Sequence, residues 1–204
     1  MKRIKSMYKF AKGPIKDYVK SGEFRRGVRY SNELNKPVYE DVILYESFHG
    51  KGLSDSPFAM FKYMLNDIKY RDFKHVWAVT QKEEKMLRGY EKYSNVEFVI
   101  VHSREYIRYL ARAKYLINNT SFSPYFMKRK EQTYINTWHG TPLKHLGKDV
   151  KTAVKSYSCN LVRNFIASDY LIHQNRYTTE IFNRTYDLQD IYPGKIIDVR
   201  HVAV

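Results

Sequence analysis

Apolar and polar positions fall into two kinds of block along this chain. Short, continuous apolar runs occur at Val42-Ile43-Leu44-Tyr45, at His75-Val76-Trp77-Ala78-Val79 and over residues 96–101. Others follow at Tyr115-Leu116-Ile117, Thr133-Tyr134-Ile135, Tyr170-Leu171-Ile172 and residues 195–199. Between them lie segments with apolar residues at helical spacing: residues 58–68, 82–93, 104–112, 154–165 and 178–182. Ser56 and Pro57 suit the N-cap and first position of the first of these helices, and Ser103 the N-cap of the third. Strands that are apolar throughout, rather than alternating, are buried on both faces. The pattern therefore predicts an α/β fold with a doubly wound, mostly parallel sheet.

The first 18 residues follow a different rule. Met1, Ile4, Tyr8, Ala11, Ile15 and Tyr18 form one helical stripe, flanked by Lys2, Lys5, Lys9, Lys12 and Lys16 and kinked at Gly13-Pro14. Such a stripe suits an anionic bilayer surface, and it also suits a helix packed on the domain with a solvated basic face. Charge sharpens the contrast. Of a net +15, residues 1–30 carry +8, so half the excess lies in one short segment. The expected organisation is a basic amphipathic membrane-associating segment over residues 1–38, then one globular domain over residues 39–204. Anionic partners are expected: phosphates, an acidic membrane face or nucleic acid. A single cysteine, Cys159, excludes a disulfide framework and a cysteine-rich metal site.

In a doubly wound sheet, ligands bind beyond the carboxyl ends of the strands. The predicted strands lead there into Glu46-Ser47-Phe48-His49-Gly50-Lys51-Gly52, His102-Ser103, Asn118-Asn119, Thr137-Trp138-His139-Gly140 and His173-Gln174-Asn175. Four of the seven histidines thus gather on one rim. In His139-Gly140-Thr141-Pro142-Leu143-Lys144, a histidine near neutral pKa can act as general base. Gly140 admits close backbone approach, and Lys144 adds positive charge. The same string also reads as a plain glycine turn with a hydrogen-bonded histidine. The loop from Phe48 to Pro57 offers amides, Lys51 and a helix N-terminus to an anion. No phosphate-loop, dinucleotide, zinc-protease or nucleophile-elbow motif is present, so no metal or cofactor is expected.

The strings Glu46-Ser47-Phe48-His49-Gly50-Lys51, Ser54-Asp55-Ser56-Pro57, Thr137-Trp138-His139-Gly140-Thr141-Pro142-Leu143-Lys144 and Asn175-Arg176-Tyr177-Thr178-Thr179-Glu180-Ile181-Phe182 resemble the CDP-glycerol glycerophosphotransferases of wall teichoic acid synthesis. The resemblance implies the Rossmann-like, acceptor-side half of a two-domain GT-B-like transferase on the cytoplasmic membrane face. It implies His139 as catalytic base. His139, Gly140, Thr141, Pro142, Leu143 and Lys144, with His49, Lys51, Ser54 and Asp55, would bind substrate. CDP-glycerol would be the donor, a lipid-linked teichoic acid the acceptor, and CMP the leaving product; no nucleic acid is then expected. The rival reading is a non-catalytic basic module that binds membrane or nucleic acid. The family pattern continues past the last predicted strand with Gly-Tyr-Pro-Arg, whereas this chain reads Arg200-His201-Val202-Ala203 and stops at Val204. A truncated copy, with negligible turnover alone, is therefore expected.

Overall fold

Along the first strand, Val42 and Leu44 join one hydrophobic cluster while Ile43 and Tyr45 join another. A period of two thus feeds apolar side chains to both faces of one sheet. The computed structural model describes residues 19, 21–81, 88–90, 92–151 and 158–199. The stripe over residues 1–18, most of the helix predicted over 82–93, and the start of that over 154–165 lie outside these residues.

Seven strands form the sheet: β1 (Tyr39–Glu46), β2 (Lys74–Val79), β3 (Val96–Ile100), β4 (Ala113–Asn118), β5 (Thr133–Asn136), β6 (Tyr170–His173) and β7 (Lys195–Asp198). Their order is β3-β2-β1-β4-β5-β6-β7, and every neighbouring pair is parallel. The order reverses between β1 and β4, which is the switch point where such sheets open a crevice. All seven predicted strands are present.

Six α-helices are found among the described residues: α1 (Gly22–Leu34), α2 (Asp55–Asn66), α3 (Arg104–Arg112), α4 (Cys159–Ala167), α5 (Arg176–Tyr186) and α6 (Leu188–Ile191). On one face, Tyr30 of α1 and Tyr106, Ile107 and Leu110 of α3 cover Val42, Leu44, Val76, Ala78 and Leu116. On the other, Phe61 and Met64 of α2 cover Ile43, Tyr45, Trp77 and Ile117. There the Tyr45 and Trp77 rings stack at 5.2 Å, and Phe61 meets Trp77 edge-on at 5.6 Å. A third cluster joins Trp138, Phe165, Leu171, Phe182, Tyr186 and Leu188 around the β6 end of the sheet. None of the described helices is long and apolar enough to cross a membrane.

Two sequence expectations are corrected here. The globular body begins near residue 22 rather than 39, because α1 packs on α3 and Tyr30, 1% exposed, lies in the core. Ser21 Oγ accepts from Phe24 N at 3.1 Å and caps α1. Helix α2 starts two residues early: Ser54 is its N-cap, and Pro57 falls at the third helical position. Proline is tolerated there because the first turn has no intrahelical acceptor for its missing N–H.

Candidate active site

The carboxyl rim of the sheet is built from strained backbone. Six non-glycine residues have positive φ among the described residues, and five of them follow β1, β3 and β5, in the loops or at the start of α2: Phe48 (46°), His49 (57°), Asp55 (60°), His102 (68°) and Trp138 (50°). Each such residue costs about 1–3 kcal/mol, so the surrounding structure must hold it in place.

After β1, the holding is done by Gly50 and Asn119. Gly50 has φ 82°, and a Cβ there would lie 2.5 Å from Val101 Cγ2. Its carbonyl accepts from Thr80 N at 2.7 Å and Thr80 Oγ1 at 3.2 Å, which pins the loop to the end of β2. Asn119, the residue after β4, accepts from Phe48 N at 2.9 Å and donates to Asp55 Oδ2 at 2.7 Å. His49, between these anchors, is exposed. Ser54 contributes its carbonyl, which accepts from Ser47 Oγ at 2.7 Å. Lys51 is exposed. The Asp55 carboxylate already occupies the first turn of α2, which weakens the reading of that helix end as an anion cradle.

After β5, buried amides do the same work. Asn136 Nδ2 donates to Asn118 Oδ1 at 2.9 Å and to Thr120 O at 2.7 Å, while its Oδ1 accepts from Trp138 N at 2.9 Å. Tyr134 OH also donates to Asn118 Oδ1, at 2.9 Å. Trp138 then turns inward onto Phe165 and Phe182, and the His139 ring stacks on it at 4.0 Å. Gly140, at φ 123°, has open space where a side chain would be. With its amide oriented to suit its surroundings, Gln174 donates to Gly140 O and accepts from Gly140 N, both at 3.3 Å. Asn175 Nδ2 donates to Thr141 Oγ1 at 2.7 Å while its own oxygen caps α5.

The rim brings His49 and His139 together: the Phe48 ring packs on that of His139 at 5.5 Å. All three rim histidines have depressed pKa values. For His49 the cause is partial dehydration, then Lys51; the Ser121 carbonyl opposes it and His139 adds to it. For His139 it is dehydration again, opposed by its own backbone and by Asp55. For His102 it is dehydration with Arg26, opposed by Glu23, and His49 adds a little. Imidazoles so placed are neutral near pH 7 and able to accept a proton.

The other predicted residues are arranged less simply. Pro142, Leu143 and Lys144 line a separate cavity of about 510 Å³ against Tyr177, Ile181 and Arg184 of α5, with Leu143 94% exposed. His49 instead borders a cavity of about 360 Å³ with Glu46, Thr80, His102 and Ser121. His173 is not presented on the rim at all. It is buried, its Nδ1 lies 2.8 Å from Thr179 Oγ1, and dehydration lowers its pKa to about 4. Sequence reasoning did not single out Glu46, which is 2% exposed and accepts from Tyr106 OH at 2.6 Å. A larger cavity, about 840 Å³, lies between residues 126–130 and α4, away from these groups.

Fold and rim together define a doubly wound α/β domain with His49, His102 and His139 exposed at the carboxyl edge of its sheet. Residues 28–193 match the family CDP-glycerol:poly(glycerophosphate) glycerophosphotransferase, and the chain belongs to that family. It is 36% identical over 155 residues to a teichoic acid poly(glycerol phosphate) polymerase of Staphylococcus epidermidis, covering 73% of this chain and 20% of the relative. It is 31% identical over 159 residues to a teichoic acid glycerol-phosphate transferase of Staphylococcus aureus, covering 75% of this chain and 39% of the relative. The solved structure of the wall teichoic acid polymerase TagF superposes with a TM-score of 0.72 at 28% identity, covering 96% of this chain and 46% of that one. The chain thus spans about a fifth to two fifths of the length of these curated relatives.

Proposed function

We propose that this chain supplies the base-bearing half of a glycerophosphotransferase, which moves glycerol phosphate from CDP-glycerol to a teichoic acid acceptor. The observation that carries the reading is His139, placed on the rim with a depressed pKa and Asp55 close enough to favour its protonated form. In the proposed step His139 takes the proton from the acceptor's terminal hydroxyl. That oxygen attacks the glycerol-linked phosphorus, the bond from phosphorus to the CMP oxygen breaks, and CMP leaves. Asp55 stabilises the imidazolium as it forms. Gly140 leaves space for the reacting phosphate, and Lys144, with Thr141, Pro142 and Leu143, flanks the approach. His49, Lys51 and Ser54 belong to the facing loop. No cofactor or metal enters the step. The donor nucleotide would be held largely by a second domain facing this one. A place on the cytoplasmic face of the membrane, with a lipid-linked acceptor, completes the proposal.

The test is a fusion of this chain to the remainder of the S. epidermidis relative. Substituting His139→Ala should lower kcat by roughly 10²-fold and leave KM for CDP-glycerol within a few fold. If instead His49→Ala abolishes turnover while His139→Ala retains it, the base is His49 and this assignment fails.

A further inference from the structure

The cavity of about 360 Å³ beside His49 lies where the loops after β1, β2, β3 and β4 meet, at the switch point of the sheet. Its volume is within the range of roughly 300–1,000 Å³ typical of small-ligand sites. Glu46 and Asn118 are register partners across the β1–β4 junction, and Glu46 borders the cavity although it is 2% exposed. Tyr106 OH occupies Oε2 of that carboxyl, and no other hydrogen bond reaches it among the described residues. A nearly buried carboxyl with an unused oxygen facing a cavity is expensive unless something bonds to it. His102 Nδ1 is paired with Tyr125 OH at 3.0 Å, and its other ring nitrogen has no protein partner among the described residues. Thr80, Ser121, Ser123 and Asn160 complete the polar lining.

The donor set selects a chemistry. A phosphate deep in this cavity would face the Glu46 carboxyl, and the only cations available in the lining are His49 and His102, both pushed toward neutrality. A nucleobase needs a broad, flat aromatic platform; Phe122 is fully buried, and the only other aromatic rings in the lining are the small imidazoles of His49 and His102. Uncharged hydroxyls both donate and accept, and they fit a lining of carboxyl, imidazole and hydroxyl groups.

We infer that this cavity is a polyol subsite, taking the hydroxyl-bearing end of a polyol phosphate with Glu46 and His102 as the groups that bond its hydroxyls. Its chemistry stands on the cavity alone; calling the polyol the acceptor end rests on the function proposed above. Burial pushes the Glu46 carboxyl up to about 7, against the donation from Tyr106, so at neutral pH it can either accept from a hydroxyl or donate to one. The phosphate that follows the polyol would leave the cavity toward the exposed Lys51, on the loop that also carries His49.

The test uses the full 204-residue chain without any donor. Imidazole proton resonances of His102 and His49 are followed by NMR while sn-glycerol 3-phosphate, inorganic phosphate or cytidine 5′-monophosphate is added. Glycerol 3-phosphate should shift His102, and the other two should not. Glu46→Gln keeps an acceptor for Tyr106 and should weaken glycerol 3-phosphate by about tenfold; His102→Ala, read at His49, should weaken it similarly. Near-ultraviolet circular dichroism confirms that each variant is folded. A His102 shift as large with inorganic phosphate, or glycerol 3-phosphate binding unchanged in both variants, overturns the subsite. So does the absence of any shift with glycerol 3-phosphate. Because no turnover is measured, an inactive fusion enzyme with an intact His102 shift refutes the proposed activity alone. An active fusion without the shift refutes the subsite alone.

Discussion

The interior of the sheet and its carboxyl rim are made of the same seven strands and obey opposite rules. Inside, regular strands bury Leu44, Val76, Trp77, Ala78 and Leu116 completely, and aromatic rings meet at packing distances. Along the rim, left-handed backbone recurs at Phe48, His49, Asp55, His102 and Trp138, held by amide side chains and one buried glycine. The interior gains from close packing what the rim spends in strain. A rim that relaxed would no longer hold Phe48, His49 and His139 in register across two separate loops. The difference also separates two kinds of histidine. His75 and His173 are fully buried, with dehydration lowering their pKa to about 4, whereas His49, His102 and His139 reach solvent.

Acid should expose that division most strongly. His75 and His173 bind protons less readily in the folded chain than in the unfolded one, so stability is lost as pH falls from 6.5 toward about 4. Glu46 works the other way: its stabilising contribution is present below 4.5 and is lost as pH rises through about 7. Between pH 6.5 and 4.5 the wild type should therefore lose about 2 kcal/mol, and Glu46→Gln, with the opposing carboxyl removed, about 4 kcal/mol. Urea melts at both pH values would decide it; equal losses would mean that Glu46 carries no raised pKa.

Within the interior, Trp77→Ala should cost about 4 kcal/mol by opening a cavity under Phe61 and Tyr45. A loss near 1 kcal/mol in chemical denaturation would show that this face is not close-packed. At the junction of the two regions, Gly50→Ala meets both a positive φ and the Val101 methyl. It should cost about 2 kcal/mol and disturb the His49 resonance, whereas Gly89→Ala, with open space around it, should do neither. The smallest effect is also the most telling. His49→Gly relieves left-handed strain on the rim and should stabilise the chain by about 1 kcal/mol while weakening polyol binding. A destabilised His49→Gly protein would show that the side chain itself supports the fold.

Much of this was legible in the sequence, and the reasons differ by element. The strands could be read because a buried parallel strand has to be apolar along its whole length. Helix α1 could not: Arg25, Arg26 and Arg29 hide a face on which Tyr30 and Leu34 pack against the core, and its clearest signal was Ser21 followed by Glu23 in the first turn. The His49 and His139 loops stood out because glycine follows each histidine at a strand end. Glu46 looked like any polar residue that ends a strand; its burial depends on Tyr106, 60 residues away, which only the register of β1 against β4 brings near. Asn118, Asn119 and Asn136 were visible as amides but not as braces, since their partners are set by three-dimensional pairing.

The place of β1 in the strand order has a consequence for the nascent chain. Its first neighbour, β2, follows within some thirty residues, but the partner for its other edge ends only at Asn118, 72 residues after Glu46. At a synthesis rate of about 5–20 residues per second, that edge waits roughly 4–14 s beside the ribosome with its peptide groups unpaired. Contacts so distant in sequence close late. Glu46 and Tyr106 therefore meet only after α3 has emerged, and the cavity, which Asn160 of α4 also lines, is completed later still.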